Sequence, residues 1–157
     1  MIRLTKQTDY GFVMLAHIAR TDSRQLHQAH SLSEETRIPE PMVRKILKIL
    51  AREEILESTR GVKGGYRLGF PADQISAARV IEALEGPIAL TECSLDGDSN
   101  CTLEGSCGVS YHLRRINQAI RDALARMTVA DLAAEPAELV PAEEQQDYEA
   151  ERQSAAG

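Results

Sequence analysis

Tryptophan is absent from this chain, and Phe, Trp and Tyr together make up only 4% of it. A sandwich core built on large rings is therefore not expected, and the aliphatic balance favours helix packed on helix. No apolar run approaches the roughly 18 residues of a membrane span, which excludes a spanning helix. The opening stretch, MIRLTKQTDYGFVMLAHIAR, is interrupted by polar groups and lacks a small-residue cleavage pattern, so it is not a secretory signal. A cytoplasmic protein with no membrane partner is expected. Cysteine is scarce and odd in number: three residues, Cys93, Cys101 and Cys107, all within fifteen positions. An odd count cannot be fully paired, and clustered cysteines in a reducing compartment more often ligate metal or do redox work than form bridges.

What is present is unevenly spread. The 157 residues suit one domain and carry a net charge of −6. Residues 1–70 nevertheless hold 12 Lys and Arg against 8 Asp and Glu, whereas residues 71–157 hold 6 against 16. An acidic whole thus conceals a basic first half, the part to examine for nucleic-acid contact.

The spacing of apolar residues predicts a helix over 5–20, capped by Thr5 or Thr8, followed by a polar loop from Thr21 to His30. Ser33 is expected to cap a short helix reaching Arg37. The run Ile38-Pro39-Glu40-Pro41 predicts a turn and a new helix starting near Pro41. In that helix Val43, Ile46, Leu47 and Leu50 form an apolar stripe, with Arg44, Lys45, Lys48 and Arg52 mostly off it. Two short helices joined by a tight turn, the second basic outside, describe a helix-turn-helix. Ile55–Thr59 and Gly65–Leu68 read as strands around a glycine-rich, cationic turn, a hairpin placed where a wing belongs.

Beyond it, Ile75–Glu85 is expected to be helical and to end at Gly86-Pro87. Val109, Leu113, Ile116, Ile120, Leu124 and Met127 recur at intervals of 4, 3, 4, 4 and 3, a heptad-type seam on a helix of about 19 residues. A short last helix over Thr128–Leu132 and a disordered acidic tail complete the chain. The expected organisation is a DNA-binding region over 1–70, a connecting helix over 71–90, a cysteine loop over 91–108, a dimerisation helix and short helix over 109–134, and a tail over 135–157. The fold class is mainly α with a small β-hairpin: a winged helix-turn-helix plus a long helix.

Chemistry concentrates in Cys93-x7-Cys101-x5-Cys107. Thiolates suit iron–sulfur clusters, zinc(II) and copper(I), and these spacings exceed those of a zinc knuckle. Free thiols or a zinc site are the plainer readings of the spacing alone. A cysteine nucleophile is not expected, because only His112 is close in sequence to serve as a base.

Taken together, Arg3-Leu4-Thr5-Lys6 with Thr8-Asp9-Tyr10, Ile38-Pro39-Glu40-Pro41-Met42-Val43, Arg60-Gly61-x-x-Gly64-Gly65-Tyr66-x-Leu68 and the three-cysteine loop resemble the bacterial winged-helix regulators that include IscR, NsrR and RirA. Within that group, the segment from Val80 to Cys93 is most similar to regulators of the SUF iron–sulfur assembly operon. The resemblance covers about residues 1–134. It implies a homodimer joined through the helix after the cysteine loop, and an iron–sulfur cluster, [2Fe–2S] or [4Fe–4S], on Cys93, Cys101 and Cys107. It further implies a repressor of cluster-assembly genes whose operator affinity follows cluster state. A fourth ligand is implied as Asp9 of the partner subunit, as in NsrR-like members, with His112 a second candidate. The IscR-like histidine position is Ser110 here. Two glycines common in these regulators are replaced by Arg37 and Glu54. The alternative is a zinc- or thiol-based redox regulator on the same scaffold.

For double-stranded DNA, Arg44 and Lys45 are expected in the major groove and Arg60 and Lys63 on the wing, with Lys48 and Arg67 on phosphates. Gly64 and Gly65 are expected to let the wing backbone approach the duplex. A solvated basic helix face is the plainer account of Arg44, Lys45 and Lys48. A two-fold dimer predicts a near-palindromic operator.

Overall fold

The computed structural model describes residues 3–21, 25–95, 101–103 and 106–134. The expected tail over 135–157 and the middle of the cysteine loop lie outside the described residues. Among the described residues the order is α1 (Lys6–Ala19), α2 (Ala29–Thr36), α3 (Glu40–Arg52), β1 (Leu56–Thr59), β2 (Gly65–Leu68), α4 (Ala77–Glu85), α5 (Ser110–Arg126) and α6 (Val129–Ala133). No described helix is long and apolar enough to cross a membrane.

One core serves α1–α4 and the hairpin. Met14 and Leu15 of α1, Leu32 of α2, and Val43, Ile46, Leu47 and Leu50 of α3 are all fully buried. The 3, 1, 3 spacing along α3 places one face inward and leaves Arg44, Lys45 and Lys48 outside. α1 starts where Thr5 accepts from the Thr8 amide at 3.4 Å. It then crosses α4 so closely that a Cβ on Gly11 would lie 2.5 Å from Leu84 Cδ1. Gln7 Nε2 donates to the Leu84 carbonyl at 3.0 Å, and the Thr5 amide donates to Glu85 Oε1 at 2.8 Å. The start of α1 thus caps the end of α4, whose final carbonyls have no partner within their own helix.

Ser33 does not cap α2. The helix begins at Ala29, with the Leu32 amide already donating to the Gln28 carbonyl at 3.0 Å. Fully buried Leu32 holds this earlier turn in helical form. The Ser33 hydroxyl turns the other way and donates to the Ile38 carbonyl at 2.7 Å, bracing the turn into α3. Arg37 closes α2 in the left-handed region at φ 58°, and Glu54 does the same after α3 at φ 57°. These are the two positions where glycine is missing, and a Cβ there is crowded against the backbone.

The hairpin pairs Leu56 with Leu68 and Thr59 with Gly65. His27 extends it as a one-residue third rung, donating its amide to Tyr66 O at 2.8 Å and accepting from Tyr66 N at 2.9 Å. At the other end of the chain, α6 folds back on the body. Thr128 and Asp131 form a reciprocal capping box, Val129 is fully buried, and the Val129 amide donates to Ile75 O at 2.8 Å. Arg20 Nε donates to Ala133 O at 2.9 Å, tying α6 to the end of α1.

Candidate nucleic-acid interface and cysteine loop

The basic face has two parts, the outer side of α3 and the wing. Lys45, Lys48, Arg60 and Lys63 are exposed. Two other cations singled out from sequence are engaged within the chain. Arg44 forms a two-nitrogen ion pair with Glu40 one turn earlier on α3, and Arg67 pairs with Glu57 across the hairpin at 2.7 Å. Hydrogen bonds from Arg44 and then from His30 hold the Glu40 carboxyl below its ordinary range. At neutral pH the start of α3 therefore presents an anion–cation pair, not a bare arginine. A phosphate or base edge engaging Arg44 has to compete with Glu40.

Gly64 is packed tightly within the wing turn itself. It is buried, and a Cβ there would lie 2.2 Å from Thr59 O and 2.9 Å from Gly61 O. Gly65 is similarly pressed against the backbone of His27, with a Cβ falling 2.7 Å from its oxygen. The close approach these glycines permit is intramolecular: Gly64 closes the wing turn, and Gly65 lets the wing lie against the residue before α2. Gln28, missed by sequence reasoning because it falls in a polar stretch, donates from Nε2 to Val62 O at 3.3 Å and steadies the wing loop. Gln28, His30, Arg44, Arg60 and Gly61 line a cleft of about 420 Å³ between α2, α3 and the wing. Its walls are polar and its rim cationic, a form suited to a phosphate backbone.

The cysteine loop leaves α4 through residues 88–90. Asn117 of α5 clamps this stretch, accepting from Leu90 N at 3.0 Å and donating to Ile88 O at 3.1 Å. It is the one buried residue of α5 among those described. Cys93 is buried; its sulfur lies 3.3 Å from Thr91 Oγ1, and its carbonyl accepts from Arg114 at 3.4 Å. Cys101 and Cys107 are half-buried, and none of the three is in a disulfide. The Cys107 carbonyl accepts from the amide of Ser110, which opens α5. The backbone of Cys93 and of Cys107 is thus tied to α5, while the described ligand atoms that lie within 4.8 Å of one another belong to His17, His27 and Glu35, not to the cysteines. Of the proposed fourth ligands, Asp9 is exposed in the first turn of α1. His112 is exposed on α5, edge-on to Tyr111 at 5.5 Å.

The apolar seam of α5 is only partly covered: Ile116 is 52% exposed, Val109 and Met127 at the helix ends are exposed, and Leu113, Ile120 and Leu124 are half-buried, with Tyr111 beside them 64% exposed.

A family model described as "Rrf2: Iron-dependent Transcriptional regulator" matches residues 4–135. Protein aau3 of Rhizobium meliloti (strain 1021) is 34% identical over 131 residues, covering 83% of this chain and 84% of that protein. The HTH-type transcriptional regulator NsrR of Oceanobacillus iheyensis is 27% identical over 139 residues, covering 88% and 95% respectively. Among solved structures, the global cysteine regulator CymR of B. subtilis superposes with a TM-score of 0.65 at 24% identity, over 85% of this chain and 97% of that one. That likeness establishes the winged-helix fold. The matched family is one of transcriptional regulators, not of enzymes.

Proposed function

Because the chain belongs to the Rrf2 family of iron-dependent transcriptional regulators, we propose that it is a homodimeric repressor of iron–sulfur assembly genes whose grip on its operator follows an iron–sulfur cluster. Cys93, Cys101 and Cys107 would hold the cluster. Three thiols outside any disulfide form a donor set that fits it. The cluster supplies a center that is gained or lost with iron supply and redox state. The placement of this loop carries the reading: along the chain it runs between α4 of the winged-helix body and the partly exposed apolar seam of α5.

The chain's own residues supply the linkage. Asn117 ties the root of the loop to α5, and Arg114 holds the Cys93 carbonyl. Residues 88–90 run directly from α4, whose end is fastened to α1 by Gln7 and Thr5. Ordering the loop therefore fixes α5 relative to α1, and through a two-fold axis it sets the separation of the two α3 helices. A cluster shifts that equilibrium only by its difference in affinity for the two arrangements. Lys45, Lys48, Arg60 and Lys63 contact DNA first, and Arg44 engages once displaced from Glu40. Asp9 of the partner subunit is the proposed fourth ligand, with His112 the local substitute.

The test is anaerobic purification with iron, sulfide and zinc analysis, visible spectroscopy and operator-binding assays with and without cluster, for the wild-type protein and Asp9→Ala. A brown protein whose operator affinity changes on cluster loss is expected. A colourless protein with stoichiometric zinc, or with a reversible thiol response alone, would favour the zinc or thiol regulator, a reading to which the fold likeness to a cysteine regulator lends support.

A further inference from the structure

A second cluster of ligating side chains lies away from the cysteines. His17 in the last turn of α1, His27 at the rung to the wing, and Glu35 near the end of α2 bring three ligand atoms within 4.8 Å of one another. His17 Nε2 and Glu35 Oε2 are 2.8 Å apart, and the two imidazoles meet edge-on with centroids 6.0 Å apart. His27 is 3% exposed, whereas the side chains of His17 and Glu35 are 29% and 48% exposed. The cluster thus has a buried floor and a side open to water. The Thr21 hydroxyl donates its one proton to Ile18 O at 2.7 Å, so its 2.8 Å contact with His27 Nε2 is accepted from the ring. That bond places the His27 proton on Nε2 and leaves the Nδ1 lone pair for a ligand, the orienting arrangement usual for a metal-bound histidine.

We propose that His17, His27 and Glu35 form a zinc(II) site, separate from the cysteine loop, that fastens the wing to the helical body. Two imidazoles and one carboxylate are a nitrogen–oxygen set suited to zinc, with the fourth tetrahedral position left to water on the open side. Zinc–ligand bonds of about 2.0–2.1 Å place tetrahedral ligands about 3.3 Å apart. That value lies between the 2.8 Å contact already present and the 4.8 Å outer limit of the cluster. The mechanical consequence follows from the backbone of His27, which makes both hydrogen bonds to Tyr66. An ion on its ring therefore clamps the wing root to α1 and α2 together.

The test uses the full chain with Cys93→Ser, Cys101→Ser and Cys107→Ser, so that no sulfur ligand competes. Calorimetric titration with zinc is expected to give one site per chain. His17→Ala or Glu35→Gln in that background should weaken it about tenfold or more, the scale of even outer-shell losses at metal sites. Cobalt(II) should give tetrahedral ligand-field bands without thiolate charge transfer, and zinc should slow exchange of the Tyr66 amide. No binding by a natively folded chain, or binding indifferent to both substitutions, overturns the proposal. If the triple-serine chain misfolds, the natural chain with alkylated thiols is titrated instead. Loss of the iron–sulfur reading leaves these outcomes untouched.

Discussion

The winged-helix body and α5 are built from similar aliphatic side chains and treat them in opposite ways. In the body, Met14, Leu32, Ile46, Leu47 and Leu50 are sealed completely. On α5 the seam of Val109, Leu113, Ile116, Ile120, Leu124 and Met127 contains no buried member, and the one residue the helix buries is polar. The core of the body closes within one chain, whereas the seam of α5 stays partly open. An apolar stripe of heptad spacing left partly open to water gains stability when it is covered, and a second copy of itself is the simplest cover.

The contrast yields an ordered set of experiments. The largest effect is expected in the body: Leu47→Ala should cost about 2–5 kcal/mol in denaturant unfolding, because a fully buried leucine leaves both a cavity and lost apolar burial. Next, Ile116→Asp should convert a dimer to a monomer in sedimentation while leaving the far-ultraviolet dichroism of the body intact. If that variant remained dimeric, the seam would not be the interface. Lys63→Ala should weaken operator binding and lower the salt slope by about one, the loss of a single phosphate contact. Arg37→Gly and Glu54→Gly should each stabilise the body by about 1 kcal/mol, since both residues occupy left-handed backbone. An increase confined to one of them would show that the other's side chain compensates.

The smallest effect concerns pH. Burial pushes the Glu85 carboxyl up, but hydrogen bonds from Thr8 and from the Thr5 backbone and side chain together bring it below its ordinary value of 4.5. A depressed carboxylate stabilises the fold above the unfolded value, and this contribution is lost as pH falls through the lower folded value. Glu85→Gln should therefore flatten the acid side of the stability curve below pH 4.5 and change little at neutrality.

How much of this was legible in the sequence follows from the range of the interactions. The stripe of α3, the hairpin, the seam of α5 and the short last helix are local periodicities or local turn chemistry, and the structure contains each within a residue or two. The positive φ at Arg37 and Glu54 was likewise foreseeable from the glycines missing there. Ser33 misled because a hydroxyl three residues before Thr36 imitates a cap, while burial of Leu32 started the helix earlier. The pairing of Arg44 with Glu40 sits at helical spacing and was open to inspection, but the basic face drew attention first. The rung between His27 and Tyr66 and the union of His17, His27 and Glu35 join segments distant in the chain, with no spacing to announce them. The packing of Gly65 against the backbone of His27 is another such long-range contact, which the glycine-rich turn alone does not announce.

The return of α6 to the body has a topological consequence. Through Met127, Val129 and Ala133 the far end of α5 is bonded back to Ala77, Ile75 and Arg20, so the helix is a strut anchored at its C-terminal end, not a swinging arm. Two protomers can lay these struts side by side, but trading them would require each chain to unpin α6 and expose Val129. An exchanged-arm assembly, in which two chains trade α5 and α6, is therefore disfavoured.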